Sequence, residues 1–251
     1  MDNALYEQWK KDEEAPFQGW DFSYLKGRVL EETPPWSYEK TALALLRKSN
    51  SVLDMATGGG EKFSTFAPFP KDTAAIEGYP PNVEIAKKKL EPLGVKVFEA
   101  SETKVLPFPD NKFDLVLNRH GGFNIKELYR ILKPEGQFFT QQVGGDNLAG
   151  LQEFFNQTPK WPDLILGLVK PKFEEQGFTI KESQEWKGKV TFKDAGAIVY
   201  FLKAVPWIVD NFGVDSHLKY LNKLQARLEK EGKLEFIYSR YVIWAIKRMP
   251  A

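Results

Sequence analysis

The chain has 251 residues, with 35 Lys+Arg against 34 Asp+Glu, so its formal charge is +1 and a polyanion finds no bulk electrostatic handle on it. Cysteine is absent and histidine occurs twice, which excludes disulfides, thiolate-ligated zinc or iron–sulfur sites, thiolate nucleophiles and a His-rich metal site. We expect no metal, although counting alone leaves a carboxylate-only Mg²⁺ site open.

Residues 1–40 form a charged, aromatic arm carrying Trp9, Phe17, Trp20, Phe22, Tyr24, Arg28, Trp36 and Tyr38. Its start lacks the apolar core of a secretory signal. The most apolar stretch, Ala197 to Val209, is interrupted by Lys203 and Pro206 and is too short to span a membrane. A soluble, cytoplasmic protein with no membrane contact is therefore expected.

From Ser51 to Val143 short apolar runs alternate with helical periodicity. Runs at 52–55, 73–77, 95–98, 113–117 and 137–143 read as strands, and 82–90 and 124–132 as helices. Pro81 suits a helix start, and Lys133-Pro134-Glu135-Gly136 a helix end. Strand alternating with helix implies right-handed crossovers and a mainly parallel sheet covered on both faces. Beyond Val143, helices are expected at 148–155, 164–175, 194–209 and 217–230, a strand at 178–186 and a final strand at 234–246. Gly144-Gly145, Pro159 and Pro162 mark insertions rather than a boundary. The chain reads as one domain: the arm over 1–40, a core over 41–145, and a C-terminal half over 146–251 with helical cover and the last strands.

The chemistry-bearing segment is Val52-Leu53-Asp54-Met55-Ala56-Thr57-Gly58-Gly59-Gly60-Glu61, a strand running into a glycine turn and then a helix. Such a turn lets backbone pass close to a ligand and offers free N–H groups at the helix start. Glu77 ends the next strand, where an acid can accept both hydroxyls of an adenosine ribose. Taken alone, the turn suits NAD, FAD, S-adenosylmethionine or no ligand at all. The glycine spacing is not the G-x-G-x-x-G of a dinucleotide site.

Taken together, the motifs resemble the class I S-adenosylmethionine-dependent methyltransferases, and within them the small-molecule, methyltransferase type 11 branch. The turn is similar to acid-x-G-x-G-x-G. The stretch from Leu106 to Val116 (LPFPDNKFDLV) resembles L-P-F-x-D-x-x-F-D-x-V, and Glu127 to Gly136 (ELYRILKPEG) resembles E-x-x-R-v-L-K-P-G-G. The likeness is strong over about residues 40–145 and weak elsewhere. It implies a Rossmann-like seven-stranded, mostly parallel sheet with helices on both faces and an antiparallel last strand beside the fifth, together with helical insertions and the N-terminal arm. It also implies S-adenosylmethionine as cofactor and S-adenosylhomocysteine as product.

The resemblance assigns Asp54, Ala56, Gly58 and Gly60 to the methionine part, Glu77 with Gly78 to the ribose, and Ser101 and Glu102 to the adenine edge. Asn118 falls where cofactor and substrate meet. Ala56 stands in place of a usual glycine, Ala100 in place of a usual Asp, and Glu135 in place of a glycine whose loss should be tolerated. His120 is the candidate general base, with Arg119, Trp20, Tyr24 and Trp36 as candidate substrate contacts. The arm either folds over the cofactor, with Tyr24 or Arg28 meeting its carboxylate, or packs as core. The leading function is methyl transfer to a small molecule. RNA methylation and a non-catalytic cofactor-binding partner subunit are the alternatives. Nucleic acid is not the expected partner, and the oligomeric state is left open.

Overall fold

The computed structural model describes residues 3–249. In chain order the elements are α1 (Asn3–Glu14), β1 (Val29–Glu31), α2 (Tyr38–Leu46), β2 (Ser51–Met55), α3 (Glu61–Ser64), β3 (Asp72–Glu77), α4 (Pro80–Leu90), β4 (Lys96–Glu99), β5 (Phe113–Arg119), α5 (Ile125–Ile131) and β6 (Leu132–Val143). They continue with α6 (Ala149–Phe154), α7 (Leu166–Gln176), β7 (Phe178–Phe192), α8 (Ala195–Ala204), α9 (Val214–Glu231) and β8 (Leu234–Lys247). Among the described residues, no helix is long and apolar enough to cross a membrane.

All eight strands form one sheet in the order β1-β7-β8-β6-β5-β2-β3-β4. β2 to β6 pair in parallel, and β8 inserts antiparallel between β6 and β7. The expected closing strand beside the fifth is therefore present. The expected count of seven rises to eight because the arm adds β1, antiparallel to β7. The sequence placed no strand there, since Val29-Leu30-Glu31 is three residues long and is held by a partner far along the chain.

Local chemistry starts the helices. Ser37 accepts from the Lys40 amide ahead of α2, and Asn124 from those of Lys126 and Glu127 ahead of α5. Pro80 opens α4, where its missing N–H has no intrahelical role. Between β5 and β6 the ladder slips as Pro134-Glu135-Gly136 loops out. Glu135 there takes φ +62°, a left-handed conformation that glycine adopts more readily.

Residue parity sorts the sheet's two faces. Val52, Ala75, Leu115, Leu117, Phe139 and Val242 pack beneath α2 and α4, with Tyr38 stacked on Phe139 at 5.2 Å. Leu53, Ile76, Val116, Phe138 and Ile243 pack on the other face against α5 and α7, where Phe138 stacks on Phe173 at 5.6 Å. Each such fully buried side chain contributes about 1.5–3 kcal/mol by burial.

The sheet is lopsided, and this positions the cover over the site. β7 pairs with β8 from Phe178↔Lys247 to Phe192↔Leu234, whereas β6 stops at Val143↔Arg240. The far half of the β7–β8 ladder thus overhangs the carboxyl edge of the parallel strands. The strand expected to end near residue 186 runs on to Phe192 for this reason. β1, α1, α8 and α9 gather on the overhang around Trp9, Val190, Phe192, Ile198 and Leu224. Arg28 fastens the arm to this layer by donating to both carboxylate oxygens of fully buried Asp12 (2.8 and 3.2 Å) and to Asp194, the N-cap of α8 (3.0 and 2.5 Å).

Candidate functional site

β3 and β4 lie on one side of β2, and β5 lies on the other. Strand order reverses there, and open parallel sheets bind ligands at the carboxyl edge of that point. Asp54 sits next to the end of β2, and Glu77 ends β3. By parity Asp54, Glu77, Arg119, Gln141 and Arg240 all belong to the α2 face of this edge, in the register Asp54↔Leu117, Arg119↔Gln141 and Val143↔Arg240.

The Glu77 carboxylate ties the edge together. One oxygen accepts from the Gly58 amide (2.7 Å) and the other from the Tyr79 amide (2.8 Å). Burial pushes its pKa above the usual carboxylate range, the Tyr79 and Gly58 amides oppose this, and Glu102 adds to the upward push. Glu102 and Ser101 follow β4 and lie against Gly78, so the loops after β3 and β4 meet. Gly58 (φ +62°) and Gly60 (φ +79°) form the turn, and a Cβ at Gly58 would lie 2.6 Å from Trp20 Cδ1. Trp20 is thus seated on the glycine turn.

Asp54 is buried, and desolvation pushes its pKa up to about 7. The Thr57 hydroxyl opposes this shift, although its Oγ1 forms no well-aligned bond with any partner among the described residues. Glu77 adds to the shift and Arg119 opposes it. This carboxyl is poised to ionise when a cation arrives.

Ala56, standing where the resemblance expects glycine, is left-handed at φ +55°. Its methyl group fits because position 121 is also glycine: a Cβ there would lie 2.3 Å from Ala56 Cβ.

Asn118 is fully buried. Its Oδ1 accepts from Thr140 (3.0 Å) and Gln142 (2.5 Å), and its Nδ2 donates to the carbonyls of Met55 and Gly122 (both 3.3 Å). These bonds let Asn118 hold the Gly121-Gly122 loop in place.

The arm divides likewise. Trp36 Nε1 donates to Gln141 Oε1 at 2.8 Å, at the edge itself. The Tyr24 hydroxyl donates to Asp12 at 2.8 Å and its ring stacks on Tyr200 at 4.4 Å. Neither Tyr24 nor Arg28 is available for a ligand carboxylate, because buried Asp12 claims both.

His120 (φ +62°) follows β5, with its amide bonded to the Gln141 carbonyl at 2.9 Å. Its Nε2 lies 3.0 Å from Gln141 Nε2. Because the indole is donor-only, Gln141 Oε1 must face Trp36, so its amide N–H faces His120 and His120 Nε2 must accept. The proton then resides on Nδ1. The residue as a whole is exposed to solvent, while its Nε2 contact with Gln141 is part-buried. Burial, and then Arg119 and Arg240, hold its pKa well below the usual imidazole range. His120 is thus a neutral imidazole whose Nε2 accepts from Gln141.

Gln141, Gln142 and Arg240 were not singled out from the sequence. Two consecutive glutamines ending an apolar strand were the available signal for the first pair. A shallow depression lined by Arg47, Asn50, Lys71, Asp72 and Lys96 opens at the opposite edge, away from this chemistry. Among the described residues no group of three or more His, Asp or Glu could hold a metal ion.

Residues 53–140 match the family model described as a methyltransferase domain. A relative named demethylmenaquinone methyltransferase, from Listeria welshimeri, is 27% identical over 182 residues, covering 64% of this chain and 75% of the relative. Among solved structures, the YcgJ protein of Bacillus subtilis aligns with a TM-score of 0.58 at 16% identity, over 84% of this chain and 98% of that one. A methyltransferase from Geobacter sulfurreducens, solved with S-adenosylhomocysteine, aligns with a TM-score of 0.52 at 16% identity, over 87% and 94%. These two likenesses concern the fold.

Two substitutions test the geometry. Gly121→Ala should destabilise by about 1–3 kcal/mol through overpacking against Ala56, and adding Ala56→Gly should recover most of that loss in a denaturation cycle. Independent, additive effects would contradict the contact. An acid whose folded pKa exceeds its unfolded value binds the extra proton when folded, so stability is lost as pH rises from about 4 through 7. Asp54→Asn removes that loss. Relative to the parent, the ligand-free variant should gain stability between pH 5 and pH 8, by at most about 4 kcal/mol for a shift near three units. A pH-independent difference would show Asp54 ionised throughout.

Proposed function

We propose that the chain is a class I S-adenosylmethionine-dependent methyltransferase whose acceptor is a small molecule seated beneath the aromatic arm, on the β5–β6 side of the cofactor. The observation that carries this reading is the pairing of Asp54 and Glu77 across a glycine turn at the strand-order reversal. The Listeria relative is named for methylation of a small molecule, which supports the acceptor class.

The residues suit this cofactor. Glu77 is placed to accept from the ribose hydroxyls while its backbone bonds hold the turn. Asp54 and the unpartnered Thr57 hydroxyl face the methionine part, where a bound ammonium would favour the ionised carboxylate. Ser101 and Glu102 line the adenine side, beside Gly78. Bound there, the cofactor supplies a methyl group already activated on a sulfonium.

The chain's own residues then have to orient the acceptor and exclude water. Trp20 covers the turn, and Trp36 and Gln141 fix the His120 ring. His120 presents Nδ1–H, so it serves as a hydrogen-bond donor that orients an acceptor oxygen. Asn118 holds the loop that carries it.

Cofactor binding is checked by calorimetry and thermal melting. S-adenosylhomocysteine at a hundred times its dissociation constant should stabilise the protein by about 2.7 kcal/mol, and NAD should not. Glu77→Ala should weaken S-adenosylhomocysteine binding by about 1.5–3 kcal/mol. A melting shift with NAD alone would overturn the assignment. For His120→Gln, cofactor affinity should hold, and S-adenosylhomocysteine formation from a metabolite extract should fall by less than about tenfold. A general base would contribute about 10²–10⁴. A hundredfold fall with loss of a pH limb would restore His120 as the base.

A further inference from the structure

Acid and base are segregated along the α2 face of the sheet edge. The β2–β3 side carries Asp54 and Glu77, and the β5–β6–β8 side carries Arg119 and Arg240, with Gln141 between them. Arg119 Nε is buried and has no hydrogen-bond partner among the described residues, and no carboxylate there lies within 4 Å of its guanidinium. Arg240 is only 7% exposed, yet its Nη1 is held by two neutral oxygens, Asn147 Oδ1 (2.9 Å) and the Ser239 carbonyl (2.7 Å), and its plane lies 3.7 Å from the Tyr238 ring centroid.

Buried charges are ordinarily paired. Asp54 and Glu39 act on Arg119, and Glu31 on Arg240, only through space; Glu39 pairs with Lys62 at 2.9 Å, Glu31 accepts from the Tyr238 hydroxyl at 2.8 Å, and among the described residues no carboxylate forms an ion pair with either guanidinium. Each arginine is close enough to depress the charge on His120, and Arg119 opposes that on Arg240, so the two share one neighbourhood.

We propose that Arg119 and Arg240 form a subsite for an acidic group of the acceptor, a carboxylate or comparable oxyanion. The inference rests on the methyl-transfer reading and narrows its substrate class. A guanidinium fork matches a planar carboxylate with two parallel hydrogen bonds, which also orients the molecule that carries it. The cofactor's own carboxylate is the competing anion. Arg240, however, stands on β8, two strands beyond β5 and away from the β2–β3 acids, so an anion that engages both arginines lies on the acceptor side. The Trp36–Gln141–His120 chain runs between the two cations and places the Nδ1–H donor beside the bound acid.

The test titrates benzoate, and its neutral isostere benzamide, into protein saturated with S-adenosylhomocysteine, followed by calorimetry. Benzoate should bind at least tenfold more tightly than benzamide and lose affinity as salt rises. Arg119→Gln should abolish the preference while leaving S-adenosylhomocysteine affinity within about twofold. Among the described residues the Arg119 side chain makes no hydrogen bond, so this variant should fold, and its melting temperature verifies that. Arg240→Lys should also weaken benzoate, as a point charge cannot reproduce the fork. Equal affinity for the two probes, or no benzoate binding, overturns the proposal. So does an Arg119→Gln loss that falls on S-adenosylhomocysteine but spares 5′-methylthioadenosine, which lacks the carboxylate. Failure of the parent protein to bind S-adenosylhomocysteine would instead strike the cofactor reading beneath it, and the subsite with it.

Discussion

The Glu77 carboxylate is the tie on which the edge depends. It ends one strand, yet it caps the backbone of the turn leaving the neighbouring strand and of the turn leaving its own. Two backbone amides that would otherwise face a ligand unpaired are thereby held in place, and the lone pairs left on each oxygen remain available. A single buried acid can do this because a carboxylate offers about four acceptor positions. The cost is desolvation, which pushes Glu77 and Asp54 in the same direction, and the Glu77 charge adds to the cost of ionising Asp54. Such an edge is least comfortable when empty, and a cationic ligand relieves it.

The packing around the turn shows a second constraint, that of backbone close approach. Ala56 carries a methyl group where the fold leaves room for none, and the missing methylene at Gly121 restores the space. The two positions lie in different loops, so the strain of a left-handed alanine is accommodated by its neighbour across the sheet edge and not by its own segment. Asn118 serves the same end. Its bonds to Met55 and Gly122 fasten the β2 and β5 loops to one another before any ligand is considered.

Much of this was legible from the sequence where the signal is local. Strand, glycine turn, helix and terminal acid follow one another within short windows, so the parallel core, the β8 insertion and the convergence of Asp54, Gly58, Gly60, Glu77, Gly78, Ser101 and Glu102 could be anticipated. What escaped depends on pairings between distant segments. Arg28 looked free for a ligand because its partners, Asp12 and Asp194, are joined to it only by the fold. Nothing in Asn118-Arg119-His120 announces the tryptophan-anchored glutamine against the His120 ring. β1 was too short to carry periodicity. Arg240 lies in an apolar strand, and its place between Val143 and Trp186 is set only by pairings with distant segments.

The placement of β8 has a consequence for how the chain is made. It lies in the interior of the sheet, flanked by β6 and β7, but is synthesised after both. While the ribosome is still translating α9, β6 and β7 each present an unpaired edge with nothing between them, and the overhang that carries β1 and the arm has no second strand. Open edges of this kind recruit other chains. Folding of the edge described above therefore has to await residues 234–247. A nascent chain arrested before them would hold Asp54, the glycine turn and Glu77 and still lack the strand that joins the sheet to its cover.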